Sequence, residues 1–240
     1  MAYDYIGLVN EVNRRLNEVE LTSTTFNTAT GFYSHIKDAV NSSIRDINQT
    51  HYEWPFNHVL AEETLTAGVT RYAFPSNAGS IDFDSFRIKR SSALNNDTVK
   101  LSVVAYEDYL ENSVDQEYDT STGQRTIPSS VFHAPSLQWG VTPAPDKAYL
   151  IAYEYYSIPV ELSTQTAVPN IPERFRHIII DGAMYYAYLF RSNEQAASLA
   201  KTKFEEGMKR MRIMLVNRYS YVRSTAISQI SSSAFGPRIA

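Results

Sequence analysis

The sequence predicts an α+β protein: a helical bundle built from the N- and C-terminal helices, with an inserted β-rich domain that is sandwich- or barrel-like. Two observations predict it. Apolar residues recur at helical spacing in residues 3–49 and again after Pro172, whereas residues 57–156 alternate apolar with polar residues and contain turn-forming residues. Four helices contributed by the two chain ends pack most simply as one bundle.

The predicted boundaries divide the 240 residues into four segments. Bundle helices 1 and 2 occupy residues 1–52, and the inserted β-rich domain occupies residues 53–168. Bundle helices 3 and 4 follow in residues 169–218, and a C-terminal docking tail occupies residues 219–240.

The first two helices are predicted from apolar periodicity. One covers residues 3–19 and ends before the polar run 22–25. The second covers residues 31–49, where apolar residues are spaced by three or four positions, with Thr30 as its N-cap. Pro55 then ends the helical pattern, because proline disfavours the helical conformation of the preceding residue.

The middle of the chain is predicted to consist of strands and turns. Ala67-Gly68 predicts a hairpin between residues 62–66 and 69–74. Alternation over residues 149–156 predicts the clearest strand, and the polar stretch 112–128 predicts a long exposed loop. Short strands are predicted at 86–89 and 101–104, and one or two helical turns at 106–112. Residues 131–133 and 136–141 are predicted to form a pair of strands.

Two further helices are predicted after the β-rich region. Pro172 begins the third helix, whose buried stripe includes Gly182 and Leu189. A capping-box pattern that begins at Ser192 starts the last helix, which extends to about Asn217. Its predicted buried face consists of Ala200, Phe204, Met208, Met211 and Leu215.

Charge is distributed unevenly along the chain. The net charge of −4 argues against a dedicated nucleic-acid binder. Residues 51–170 carry 7 basic and 15 acidic residues, whereas residues 200–240 carry 8 basic and 2 acidic residues. This asymmetry indicates two surfaces with different neighbours, or simply solvated helix faces rich in Lys and Arg. The most apolar stretch, 178–190, is too short to span a bilayer.

The sequence contains no enzyme signature that we can assign. Its glycines are scattered, its serines form no hydrolase elbow, and it has no cysteine. His51, Glu53 and His58 could meet on a metal ion, but exposed polar residues at a helix end explain them better. We therefore predict no catalytic residue, no cofactor and no metal.

Two acidic pairs leave one enzymatic alternative open. Paired carboxylates can hydrolyse glycosidic bonds, and Glu62-Glu63 and Asp82 with Asp84 are such pairs. Carboxylates of this kind are common on solvated strands, which is the interpretation we favour.

Aromatic residues indicate contact with a partner. The chain has 17 tyrosines, and neighbours such as Tyr155-Tyr156 and Tyr185-Tyr186 point in different directions, so they cannot share one small core. Tyrosine suits surfaces buried against another protein, although it can also line a polar core.

The C-terminal segment has no apolar period, is rich in serine and contains spaced apolar and basic residues. Such a segment is typical of a tail that becomes ordered on binding, the alternative being a frayed terminus. The predicted partner-binding residues are Arg218, Tyr219, Tyr221, Arg223, Ile227, Ile230, Phe235 and Arg238.

The order of segments and three local strings carry a resemblance to a known family. The strings are residues 8–16, Trp-Pro-Phe at 54–56 and Ile-Pro-Glu-Arg-Phe at 171–175. Together they resemble the adaptor proteins of tailed-bacteriophage head-to-tail connectors, including the tubular tail protein A of short-tailed phages. The resemblance covers essentially the whole chain.

The resemblance implies a non-enzymatic virion protein assembled in the host cytoplasm. It implies a homo-oligomeric ring of about twelve copies beneath the portal, with closed symmetry. Genomic DNA would pass through the ring without sequence-specific binding, and the tail segment would reach the portal. Nozzle or fibre proteins would attach to the β domain, and Glu62 and Glu63 would face the channel or a neighbour. The alternative is a tail-associated protein that binds or degrades carbohydrate or cell wall.

Overall fold

The computed structural model describes residues 2–51, 53–90, 97–118 and 125–215, and they form a mixed α+β protein, as predicted. The helices are α1 (Tyr5–Arg15), α2 (Ser23–Phe26), α3 (Phe32–Thr50), α4 (Tyr106–Asn112), α5 (Asp115–Tyr118), α6 (Arg176–Phe190) and α7 (Glu194–Leu215). The strands are β1 (His58–Thr64), β2 (Arg71–Ala73), β3 (Ala78–Lys89), β4 (Thr98–Lys100), β5 (Ser102–Val103), β6 (Ser130–Ala134), β7 (Gln138–Thr142) and β8 (Leu150–Ser157).

Helices α1, α3, α6 and α7 share one hydrophobic core. α6 contacts each of the other three, and α1 also contacts α3. The approach of α6 to α3 is close, because a Cβ at Gly182 would collide with the hydroxyl of Ser43. That hydroxyl donates a 2.9 Å hydrogen bond to the carbonyl of Ile179. The fully buried members of this core include Leu8, Val9, Val12, Ile36, Val40, Ile47 and Ile179.

Several predicted helix ends differ from the structure. α1 ends at Arg15 rather than residue 19, because Asn17 adopts a left-handed φ of 57°. The amides of Asn17 and Glu18 donate back to α1 carbonyls and so terminate the helix. α3 has Gly31, not Thr30, as its N-cap.

The structure also moves the start of α7 and adds a helix. Asn193, one residue after the predicted Ser192, accepts a 3.2 Å hydrogen bond from the amide of Ala196. The short helix α2, absent from the prediction, is capped by Thr22, which forms a capping box with Thr25. Leu189, predicted to be buried, is 44% exposed at the end of α6.

The strands form two four-stranded sheets. The first sheet has the order β1-β8-β3-β4 and is antiparallel throughout. The second has the order β2-β7-β6-β5, in which β5 runs parallel to β6. The predicted strand at 149–156 is confirmed as β8, in which Ile151, Tyr153 and Tyr155 are buried. Trp139 and Val141 of the second sheet join them in a common core.

The predicted hairpin at Ala67-Gly68 is wrong. Gly68 does form a turn, with a φ of 75° and an amide that donates to the carbonyl of Pro145 at 2.8 Å. However, β1 pairs with β8 and β2 pairs with β7, so this turn carries the chain from one sheet to the other. A local turn signal defines the reversal of the chain but not which strands pair.

The exposed loop predicted at 112–128 contains a helix. Residues 115–118 form α5, while residues 119–124 lie outside the described residues. The predicted helical turns at 106–112 and the paired strands β6 and β7 are confirmed.

A polar network joins the helical core to the first sheet. Trp54 donates its indole N–H to the carbonyl of Ile47 at 2.9 Å, immediately after α3 ends. The side-chain Nδ2 of Asn57 donates to Asn48 Oδ1 at 2.9 Å, and the hydroxyl of Ser157, at the end of β8, donates to the backbone carbonyl of Asn57. The end of α3 and the ends of two neighbouring strands therefore meet at one junction.

Candidate interaction surfaces

Glu62 and Glu63 lie on opposite faces of β1, an edge strand of the first sheet. Glu62 is exposed, opposite Ala152, whereas Glu63 turns towards the core between the sheets. Glu63 accepts a 2.7 Å hydrogen bond from the hydroxyl of Tyr153. Burial, and next this hydrogen bond, raise the pKa of Tyr153, which therefore stays a donor. The two carboxylates thus form no acidic pair on one surface.

The second acidic pair lies at a bulge of β3. The carboxylate of Asp82 accepts the amide of Asp84 at 3.0 Å, and Asp84 forms a 3.2 Å ion pair with Lys100. Glu53 lies across from them, and together with Tyr156 these residues line a recess of about 450 Å³. We call this site, defined by Glu53, Asp82, Asp84 and Tyr156, the acidic recess.

The histidines considered for a metal have other neighbours. His58 Nε2 lies 2.9 Å from a carboxylate oxygen of Glu154, and its ring stacks on Tyr156. His51 meets the ring of Trp54 edge to face, with the ring centroids 5.0 Å apart. Within the described ranges, no group of three or more His, Cys, Asp or Glu residues could hold a metal ion.

A cleft lies where the helical core meets the first sheet. It has a volume of about 450 Å³ and is lined mainly by apolar groups. One wall is α3, with Ile44 and Gln49, and the other is the segment that follows β8. An ion pair between Arg45 and Glu161 stands at its rim. We call this site, lined by Ile44, Asn48, Gln49, Tyr156, Ile158 and Val160 among others, the junction cleft.

The junction cleft and the acidic recess adjoin each other, because Tyr156 lines both. Two apolar side chains at the cleft are left in solvent: Ile158 is 59% exposed and Val160 is 84% exposed. An apolar site therefore continues directly into an acidic one.

A third surface lies at the end of the helical core where α3 begins and α6 ends. The ring of Phe190 is half exposed and lies 3.9 Å from the ring of His35 and 5.9 Å from that of Phe32. The guanidinium of Arg191 lies over the ring of Phe32, 4.3 Å from its centroid. Exposed Leu199 and Ile213 lie along α7, spaced by four helical turns.

Three of the tyrosines form side-chain hydrogen bonds within the chain. Tyr153 and Tyr155 lie in the core between the sheets, where their hydroxyls reach Glu63 and Asn77. The hydroxyl of Tyr186 donates to Asp46 at 2.6 Å; burial first, and then this bond, raise the pKa of Tyr186 to about 12. For these three residues the polar-core interpretation is correct.

One ion-pair network joins residues that are distant in the sequence and carries no local sequence signal. Glu117 of α5 accepts hydrogen bonds from Arg71, from Tyr109 at 2.7 Å and from Thr70 at 3.2 Å. The guanidinium of Arg71 also lies over the ring of Tyr106. This network, which we call the Glu117 clamp, fastens α4 and α5 to the second sheet.

The predicted partner-binding residues of the tail lie outside the described residues, which end at Leu215. They are Arg218, Tyr219, Tyr221, Arg223, Ile227, Ile230, Phe235 and Arg238. In the described part of the chain, no helix combines the length and apolar character that crossing a membrane requires.

Exposed apolar groups gathered at clefts and helix ends are typical of proteins that bind other proteins. The family model described as SU10 adaptor protein matches residues 3–228. Because the match covers nearly the whole chain, the protein belongs to this family of structural phage adaptor proteins, and the resemblance seen in the sequence is confirmed. Comparison with curated proteins returned no match.

Proposed function

We propose that the protein is a structural, non-enzymatic adaptor in the neck of a phage virion. About twelve copies would form a closed ring beneath the portal, extend the DNA channel and hold the nozzle, tail or fibre proteins. The observation that supports this most directly is the adaptor family match over residues 3–228, which includes part of the predicted tail.

We propose that the helices form the ring. The core shared by α1, α3, α6 and α7 contains residues from both ends of the chain, in support of a bundle at 1–52 and 169–218. The strands have a separate core, in support of an inserted domain at 53–168. Leu199 and Ile213 on the outer side of α7, with Phe190 at the helical end, are the apolar groups offered to neighbouring copies.

The tail at 219–240 is proposed to dock on the portal through its spaced apolar and arginine residues. Glu62, exposed on the edge strand β1, is proposed to face the channel or the next tail component. A carboxylate there would repel DNA phosphates and leave passage unhindered. Glu63 is not part of this proposal, since its carboxylate is engaged with Tyr153.

The test is mass determination by light scattering, of the protein alone and mixed with a purified portal ring. We expect a complex of fixed stoichiometry, near twelve copies for a twelvefold ring. A chain truncated after Asn217 should keep its circular dichroism spectrum and lose binding. A full-length chain that ignores the portal, or that clears a cell-wall suspension, would overturn the proposal.

A further inference from the structure

We propose that the junction cleft and the acidic recess together form a binding site for the C-terminal segment of the same chain, residues 216–240. The site would hold this segment against the body of the subunit when no other partner is bound. The inference goes beyond portal docking and does not depend on it, because both parts of the site belong to the subunit itself.

The junction cleft has the size and lining for aliphatic side chains. Ligand-binding clefts usually measure about 300–1,000 Å³ and are lined mainly by apolar side chains, and this cleft measures about 450 Å³. Ile44 belongs to the wall that α3 contributes, while Ile158 and Val160 leave most of their surface in solvent. Covering these side chains with an apolar segment would remove that surface from water, which is favourable.

The C-terminal segment is complementary to both parts of the site. It carries Ile227 and Ile230 among small polar residues, which suits a narrow apolar cleft. It also has three arginines and no acidic residue, whereas Glu53 and Asp82 line the adjoining recess. A segment that places isoleucine in the cleft and arginine in the recess would cover the apolar surface of the cleft and pair with the carboxylates of the recess.

The segment starts within reach of the site. α7 ends at Leu215, which packs against the helical core. Gln49 and Thr50, at the end of α3, line a recess together with Phe204 and Met208 of α7, so the C-terminal half of α7 runs beside the end of α3. Asn48 and Gln49, in that last turn of α3, line the cleft. The 25 residues after Leu215 can span about 3.3 Å each, so the whole site is within reach.

The absence of cysteine from the sequence makes a direct test possible. Val160→Cys places one thiol at the cleft, and Val168→Cys places one at an exposed valine of the same connecting segment outside the cleft lining. The rate of maleimide alkylation is measured for each, in the full-length chain and in full-length chains that also carry Ile227→Asp and Ile230→Asp.

With the unaltered tail, we expect the thiol at 160 to react about tenfold more slowly than in the chain that carries Ile227→Asp and Ile230→Asp. The reason is that the covalent tether holds the C-terminal segment near the cleft at a millimolar effective concentration. The thiol at 168 should react equally in both backgrounds. Equal rates at position 160 would overturn the proposal. Protection that grows with protein concentration would also overturn it, because it would assign the site to the tail of a second copy. Portal binding is measured separately, so loss of one result leaves the other standing.

The contribution of the acidic recess has its own matched pair. Asp82→Asn removes a charge from the recess while keeping an oxygen for the amide of Asp84, and Asp108→Asn removes an exposed charge on α4. Asp82→Asn should reduce the protection of the thiol at 160 several-fold at low salt, and Asp108→Asn should not. Equal effects of the two substitutions would overturn the ionic part of the proposal.

Discussion

The hydroxyl of Tyr109 donates a 2.7 Å hydrogen bond to the carboxylate of Glu117, which also receives the guanidinium of Arg71. The side chain of Glu117 is only 15% exposed, so its charge depends on these partners rather than on water. The two short helices α4 and α5 are therefore fastened to β2 through one carboxylate.

Glu117→Gln should lower the free energy of unfolding by about 1–3 kcal/mol, because the hydrogen bonds to a largely buried carboxylate lose the contribution of its charge. Chemical denaturation measures the change. Glu111→Gln, an exposed carboxylate at the end of α4, is the control and should change stability by less than about 0.5 kcal/mol. A loss equal to that of the control would show that the clamp adds nothing to stability.

The Glu117 clamp should also make stability depend on pH. Burial raises the pKa of Glu117, but the hydrogen bonds from Arg71 and Tyr109 outweigh it and hold the pKa below its usual 4.5. Because the folded pKa is below the unfolded one, this stabilisation is complete above pH 4.5 and declines as pH falls through the folded pKa. Unfolding free energies of the wild type and Glu117→Gln should converge on acidification; curves that stay parallel would contradict this.

Asn13→Leu should stabilise the protein. Asn13 is fully buried in the helical core, and neither its amide nitrogen nor its side-chain oxygen has a hydrogen-bond partner among the described residues. Replacing it with a similar-sized apolar residue should raise the unfolding free energy by about 1–2 kcal/mol. Asn10→Leu, which removes two hydrogen bonds to Leu21, should have the opposite sign. Thermal denaturation distinguishes them, and a loss in both would refute the prediction.

Phe204→Ala should cost about 3–5 kcal/mol, since it opens a cavity between α7 and α6. Phe204 is 6% exposed in the helical core, whereas Leu199 on the same helix is 60% exposed. Leu199→Ala therefore serves as the control, with a loss below about 1 kcal/mol. Urea denaturation of the unassembled protein gives both values. Similar losses would mean that the buried face of α7 is misassigned.

Elements with a strong period could be predicted from the sequence. β8 alternates buried and exposed residues over its length, and the buried face of α7 follows helical spacing, so each prediction agrees with the structure. Predicted helix ends were wrong where the conformation or hydrogen bonding of a single residue sets the boundary. The left-handed Asn17 ends α1, and Asn193 rather than Ser192 accepts the capping hydrogen bond of α7.

The pairing of strands and the Glu117 clamp could not be predicted. β1 turns away from β2 because its inner residues pack with those of β8, about ninety residues later, and no local signal carries that information. Glu117 sits in a polar stretch typical of a loop, and its partners Arg71 and Thr70 are distant in sequence. The junction cleft was missed for the same reason, since its two walls come from α3 and from the segment after β8.

The hydrogen bond from Ser157 to the carbonyl of Asn57 joins two residues that are 100 positions apart. The chain enters the strand-containing segment and leaves it at nearly the same point, beside the end of α3. A segment whose two ends are adjacent can be lengthened, shortened or exchanged as a unit without displacing the helices that hold those ends. Such a construction lets the strand-containing segment change in size or surface while the helical core stays the same.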